Sequence, residues 1–133
     1  MSRMLTGSCL CGAVRFEVAD EFEYALICHC SQCRRATGAA SKPFGGIGRD
    51  KVNVSQGADS LLKFGGDRAH DCRCGVCGGF LYSVVREAKY VHVNFGSLVD
   101  EPTITPRAHI FVGSKASWDV ILDDLPQFHG FPE

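Results

Sequence analysis

Neither sign of charge dominates this sequence: 14 lysines and arginines stand against 15 aspartates and glutamates, for a formal net charge of −1. That balance argues against a protein that holds nucleic acid mainly through phosphate contacts. No apolar run approaches the length that spans a bilayer, so no membrane role is expected. The opening Met1-Ser2-Arg3-Met4-Leu5-Thr6-Gly7 has no apolar stretch of signal-peptide length, and a cytoplasmic location is expected. There is no repeat, low-complexity tract or linker. A chain of 133 residues fits one domain over residues 1–133, with a core of its own. Helical periodicity is scarce as well.

What the chain does have is eight cysteines and fifteen glycines. In a secreted chain, eight cysteines would suggest disulfides. In a reducing compartment, spacings of one or two residues favour metal instead. Glycines scattered among short apolar runs suggest many turns and strands.

Alternation places Val14, Phe16 and Val18 on one face of a strand. Tyr24 to Cys28, Leu61 to Phe64, Phe80 to Val85, Tyr90 to Phe95 and His109 to Val112 read as further strands. Lys42 to Phe44 and Lys51 to Val54 read as short extended pieces around a Gly45-Gly46-Ile47-Gly48 turn, which with Phe44 is a candidate flexible wall. Ser31 to Thr37 reads as a short helix stopped by Gly38, and Ser117 to Leu122 as another. The fold class expected is mainly β, with antiparallel sheets and few short helices.

Seven of the cysteines divide into four and three. Cys74-Gly75-Val76-Cys77-Gly78 has the form of a zinc knuckle, and Cys9-Leu10-Cys11-Gly12 is a looser version. Together they offer four thiolates that close a tetrahedral shell and tie the start of the chain to its middle. Cys28-His29-Cys30-Ser31-Gln32-Cys33 offers three, which leaves one position for chemistry. On a strand Cys28 and Cys30 share a face and His29 points away. Cys33 then comes from the first helical turn, where backbone amides favour its thiolate. Zinc with three thiolates carries a net charge of about −1. Arg34 and Arg35 can offset that charge or bind the carboxylates of a substrate. Two other readings stay open here: Cys72 or His29 closes the second site as a structural one, or its three cysteines are free redox thiols.

Other side chains read as structural. Trp118 is expected in the core, and His109 as a hydrogen-bonded structural histidine. His92 and Asn94 share a strand face that either lines a cleft or meets solvent.

Three motifs taken in order carry a resemblance: Gly7-Ser8-Cys9-Leu10-Cys11-Gly12-Ala13-Val14, then Cys28-His29-Cys30-Ser31-Gln32-Cys33-Arg34-Arg35-Ala36-Thr37-Gly38, then Cys74-x-x-Cys77-Gly78. With Pro106-Arg107-Ala108-His109-Ile110 and Lys115-Ala116-Ser117-Trp118, the sequence resembles the glutathione-dependent formaldehyde-activating enzyme family. The resemblance implies a zinc-stapled, Mss4-like (β-tent) fold. It implies a structural zinc at Cys9, Cys11, Cys74 and Cys77, and a more labile catalytic zinc at Cys28, Cys30 and Cys33. It implies a zinc-dependent carbon–sulfur lyase that joins glutathione to formaldehyde as S-hydroxymethylglutathione. Arg73 stands where the family often has an aromatic residue, and Cys72 is a thiol outside the family pattern. The competing functions are a non-enzymatic zinc-binding module that docks a partner protein, and a thiol sensor that releases metal on oxidation.

Overall fold

In the computed structural model, which describes residues 3–132, ten strands and one α-helix are arranged as two sheets. In chain order these are β1 (Met4–Ser8), β2 (Arg15–Ala19), β3 (Tyr24–Cys28), α1 (Ser31–Thr37), β4 (Lys42–Gly48), β5 (Val52–Gln56), β6 (Leu61–Gly65), β7 (His70–Cys74), β8 (Phe80–Val85), β9 (Tyr90–Asn94) and β10 (His109–Ile110). The smaller sheet runs β1-β2-β5 and the larger β10-β3-β4-β9-β8-β7-β6. Every pairing is antiparallel except β10 against β3. The mainly β class with few short helices is therefore the observed one.

The alternation in β2 does what its pattern predicts. Val14, just ahead of the strand, and Phe16 and Val18 within it are fully buried, while Arg15 and Glu17 face outward. They meet Leu81, Val91 and Val93 of the larger sheet in one core, so the two sheets pack face to face through these side chains. Phe16 meets Tyr82 edge to face at 5.5 Å. A second, smaller core of Leu26, Cys28, Phe44, Ala108 and Ile110 lies under β3, β4 and β10. It forms the floor of the site described below.

The expected turn at Gly45-Gly46 does not form; β4 runs straight through both glycines. The reason is the rings above them. A Cβ at Gly45 would lie 2.6 Å from the Phe95 ring and 2.7 Å from Phe22, and one at Gly46 would lie 2.0 Å from the Tyr24 ring. The glycines are spaces for aromatic side chains inside a central strand rather than hinges.

The expected helix from Ser117 to Leu122 is also absent. A single turn closes from the Asp119 N–H to the Ala116 carbonyl, and the Lys115 ammonium donates to the Ala116 and Asp119 carbonyls. Trp118 is consequently 70% exposed rather than in the core; Ala116 is the residue buried there. The His109 to Val112 segment keeps only two strand residues, because Phe111 turns into the left-handed region at φ 55°. Strands β1 and β7 go beyond the sequence reading. In β7 the inward positions are His70, Cys72 and Cys74, an alternation carried by residues that hydrophobic periodicity does not count.

Candidate functional site

The four-cysteine set assembles where the sheets meet. Cys9 and Cys11 follow β1 of the smaller sheet, while Cys74 ends β7 and Cys77 precedes β8 of the larger. Their four sulfurs lie within 4.8 Å of one another. A tetrahedral ion with thiolates at about 2.3 Å sets neighbouring sulfurs about 3.8 Å apart. Cys9 Sγ to Cys11 Sγ is 3.7 Å and Cys11 Sγ to Cys74 Sγ is 3.8 Å, so the donor set fits a metal ion of this kind. Disulfide sulfurs would sit at about 2.05 Å.

Backbone amides already point at these sulfurs. Val14 N–H donates to Cys9 Sγ at 3.3 Å, Val76 N–H to Cys74 Sγ at 3.3 Å, and Gly79 N–H to Cys77 Sγ at 3.4 Å. Such bonds favour the thiolate. The amides of Cys11 and Gly79 bring the Cys77 thiol down to about 6.

The three-cysteine set is built by one strand end and one helix start. Cys28 closes β3, and Cys30 is the N-cap of α1, its sulfur accepting the Cys33 N–H at 3.2 Å. Gly38 ends the helix in the left-handed conformation at φ 68°, returning its N–H to the Arg34 carbonyl. The expected amide support for a thiolate thus reaches Cys30, while Cys33 supplies the amide. Cys28, Cys30 and Cys33 sulfurs lie within 4.8 Å of one another, and among the described residues no fourth cysteine, histidine or carboxylate joins them. The neighbouring Cys33 thiol holds the Cys28 thiol down, while Cys28, with burial, pushes Cys33 up.

His29 points away from this cluster, as strand geometry predicts. Its Nε2 is 2.8 Å from His109 Nδ1, and His109 Nε2 is 3.0 Å from both Asp123 oxygens. Burial lowers the His29 pKa, and the neighbouring His109 adds to this. The His109 ring is hydrogen-bonded and buried, in agreement with its structural reading.

The three-cysteine cluster opens into a cavity of about 920 Å³. Leu26, Phe44, Ile110, Phe111 and Phe131 give it apolar walls, and Lys42 and Arg86 bring cations. Lys42 is registered opposite Cys28 across β3 and β4, and its ammonium lies 5.5 Å from the Phe44 ring centre. Arg34 and Arg35 are not among the lining residues; Arg34 Nε donates to the Ser114 carbonyl at 3.2 Å. His92 lines the cavity, whereas Asn94 turns its amide to the Phe80 carbonyl at 3.2 Å. Lys42 and Arg86 carry no spacing motif, and only the strand register reveals them.

Cys72 belongs to neither cluster. It is buried beneath the larger sheet beside Tyr82, and burial raises its pKa. Cys72→Ser is expected to retain every bound metal while losing about 1–3 kcal/mol of stability, because a hydroxyl replaces a buried thiol. Metal analysis with thermal melting checks this; loss of one metal equivalent would make Cys72 a ligand.

Comparison with known proteins agrees with this arrangement. A protein-family model described as "Glutathione-dependent formaldehyde-activating enzyme" matches residues 4–114, a span that holds both cysteine clusters. The chain belongs to the glutathione-dependent formaldehyde-activating enzyme family. A Halomonas elongata relative named "Putative glutathione-dependent formaldehyde-activating enzyme" is 30% identical over 151 aligned positions, covering 98% of this chain and 90% of the relative. A crystal structure of a Rhodobacter sphaeroides protein is similar at a TM-score of 0.58 and 29% identity, covering 77% of this chain and 92% of that one. Among the described residues, no helix is long and apolar enough to cross a membrane.

Proposed function

We propose that this family member is a carbon–sulfur lyase that joins and splits glutathione and formaldehyde through S-hydroxymethylglutathione. In this reading Cys28, Cys30 and Cys33 hold the catalytic zinc, and Cys9, Cys11, Cys74 and Cys77 hold a structural one. One observation carries it: the second cluster supplies three thiols, not four, and faces a cavity. Bound there, zinc would let a substrate thiol lose its proton near neutral pH.

The protein's part is placement. In the forward direction the substrate sulfur bonds to the carbonyl carbon, the S–H bond breaks, and the proton ends on the new hydroxyl oxygen. The reverse splits the same bond, and no oxidant or reductant is needed. Lys42, level with Cys28 and inside the cavity, is placed to orient a glutathione carboxylate. Arg34 and Arg35, outside the lining, serve to offset the negative charge of the metal–thiolate cluster. Reduced thiols of this kind suit the cytoplasm, and one domain houses both centres.

A non-enzymatic interaction module is the second reading, favoured by the exposed apolar side chains Trp118, Val120 and Leu122. Zinc X-ray absorption with and without glutathione separates the two. The expected result is a gain of one sulfur scatterer at one zinc of two. Two four-sulfur shells that no thiol alters would sink the enzymatic reading.

A further inference from the structure

The cavity extends well beyond the three-cysteine cluster, and its far end is built by three strands. Strand register lines up Tyr24, Gly46 and His92 side by side across β3, β4 and β9. Because Gly46 has no side chain, the Tyr24 ring lies across the middle strand. Its hydroxyl is 2.7 Å from His92 Nε2. His92 in turn stacks on Phe44, with ring centres 4.3 Å apart. Above Tyr24 sits the Arg86 guanidinium, 5.5 Å from that ring centre and 4.7 Å from the Tyr90 ring. Arg86 is fixed in the left-handed conformation, at φ 53°, in the link from β8 to β9.

Among the described residues no carboxylate lines the cavity, and no salt bridge involves Arg86. The nearby Glu23 carboxylate accepts the Tyr90 hydroxyl at 2.7 Å. Burial and the charges of Lys42 and Arg86 bring His92 down to about 4, which keeps its imidazole neutral. Tyr24 and Cys28 are four residues apart on β3, a distance of about 13 Å. The cavity therefore has a sulfur-rich end beside Lys42, apolar walls, and a second cation, Arg86, at its far end.

We propose that this site also accepts, beside formaldehyde, an apolar aldehyde bearing a carboxylate at its far end, held between the three-cysteine cluster and Arg86. The inference rests on the reading of that cluster as the place where sulfur bonds to carbonyl carbon. The thiol adds across the C=O bond: S–C forms, S–H breaks, and the proton passes to the former carbonyl oxygen. Leu26 and Phe44 pack on the aldehyde's carbon chain, and Arg86 pairs with its carboxylate, with the Tyr24–His92 pair fixing the wall beneath.

Two measurements on the metal-loaded full chain test this. Titration with hexanoate, an unreactive analogue, should show binding that Arg86→Gln weakens about tenfold, the size of one charge-assisted hydrogen bond, and that Arg86→Lys partly restores. NMR exchange spectroscopy with glutathione should show 6-oxohexanoate converting faster than hexanal, and Arg86→Gln should erase that advantage. Equal hexanoate binding by wild type and Arg86→Gln would overturn the proposal, as would equal rates for 6-oxohexanoate and hexanal in wild type. Exchange with formaldehyde alone would overturn the proposal and leave the family activity standing. Exchange with no aldehyde at all would overturn both, even if hexanoate still bound at Arg86.

Discussion

Cys77→Ala is expected to unfold most of the protein at temperatures where the parent chain is folded. Cys77 is one of four sulfurs that join the end of β1 to the β7–β8 link. A structural zinc shell contributes folding free energy on the order of 10 kcal/mol, comparable to the whole stability of a domain this size. Other ties remain: the core shared by the two sheets, and a hydrogen bond from Val99 N–H, in the segment after β9, to the Thr6 carbonyl of β1 at 2.7 Å. Residual structure should therefore persist, with strands formed but packing loose. Circular dichroism melts read beside metal content check this, and the parent chain treated with a strong chelator should behave the same way. Unchanged melting in Cys77→Ala would show that the four-cysteine cluster is not a staple.

The cysteine clusters were more legible than the strands around them. Cysteine spacing is local, so Cys28, Cys30 and Cys33, and each of the halves Cys9/Cys11 and Cys74/Cys77, can be read from a line of text; that the two halves meet is seen only in the fold. The helix Ser31–Thr37 and its Gly38 stop were equally local, set by a cap and a left-handed glycine. The glycines of β4 were not. Gly45 and Gly46 look like a turn until Phe22, Phe95 and Tyr24, distant in sequence, are placed over them. Trp118 failed for a related reason: an indole is usually buried, but the segment after Ala116 closes a single turn, clasped by the Lys115 ammonium, and leaves the indole outside. Lys42 and Arg86 were invisible as site residues because nothing local marks them. They belong to the cavity only through a register in which Cys28 faces Lys42, and through a β8–β9 turn that stacks Arg86 on Tyr24.

Cys33→Ser is expected to remove one zinc of two and leave the fold standing. Cys33 lies in the first turn of α1, and the helix keeps its other anchors: the Gly38 cap, the Arg34 bond to the Ser114 carbonyl, and the Thr37 hydroxyl donating to the residue 33 carbonyl at 2.8 Å. The four-cysteine cluster is untouched, so the sheets stay tied and the melting temperature should move by only a few degrees. Formation and splitting of the glutathione adduct should fall by more than about 100-fold, beyond the usual cost of disturbing a ligand's hydrogen-bond partner. Cys30→Ser is the informative companion. Serine is a good N-cap and can accept the residue 33 amide in place of the Cys30 sulfur, so the helix should persist while the metal is again lost. If both variants bind one zinc, melt like the parent and are inactive, the defect lies in the three-thiol cluster and not in the helix that presents it. If Cys33→Ser keeps two zincs and full activity, the reactive centre is elsewhere.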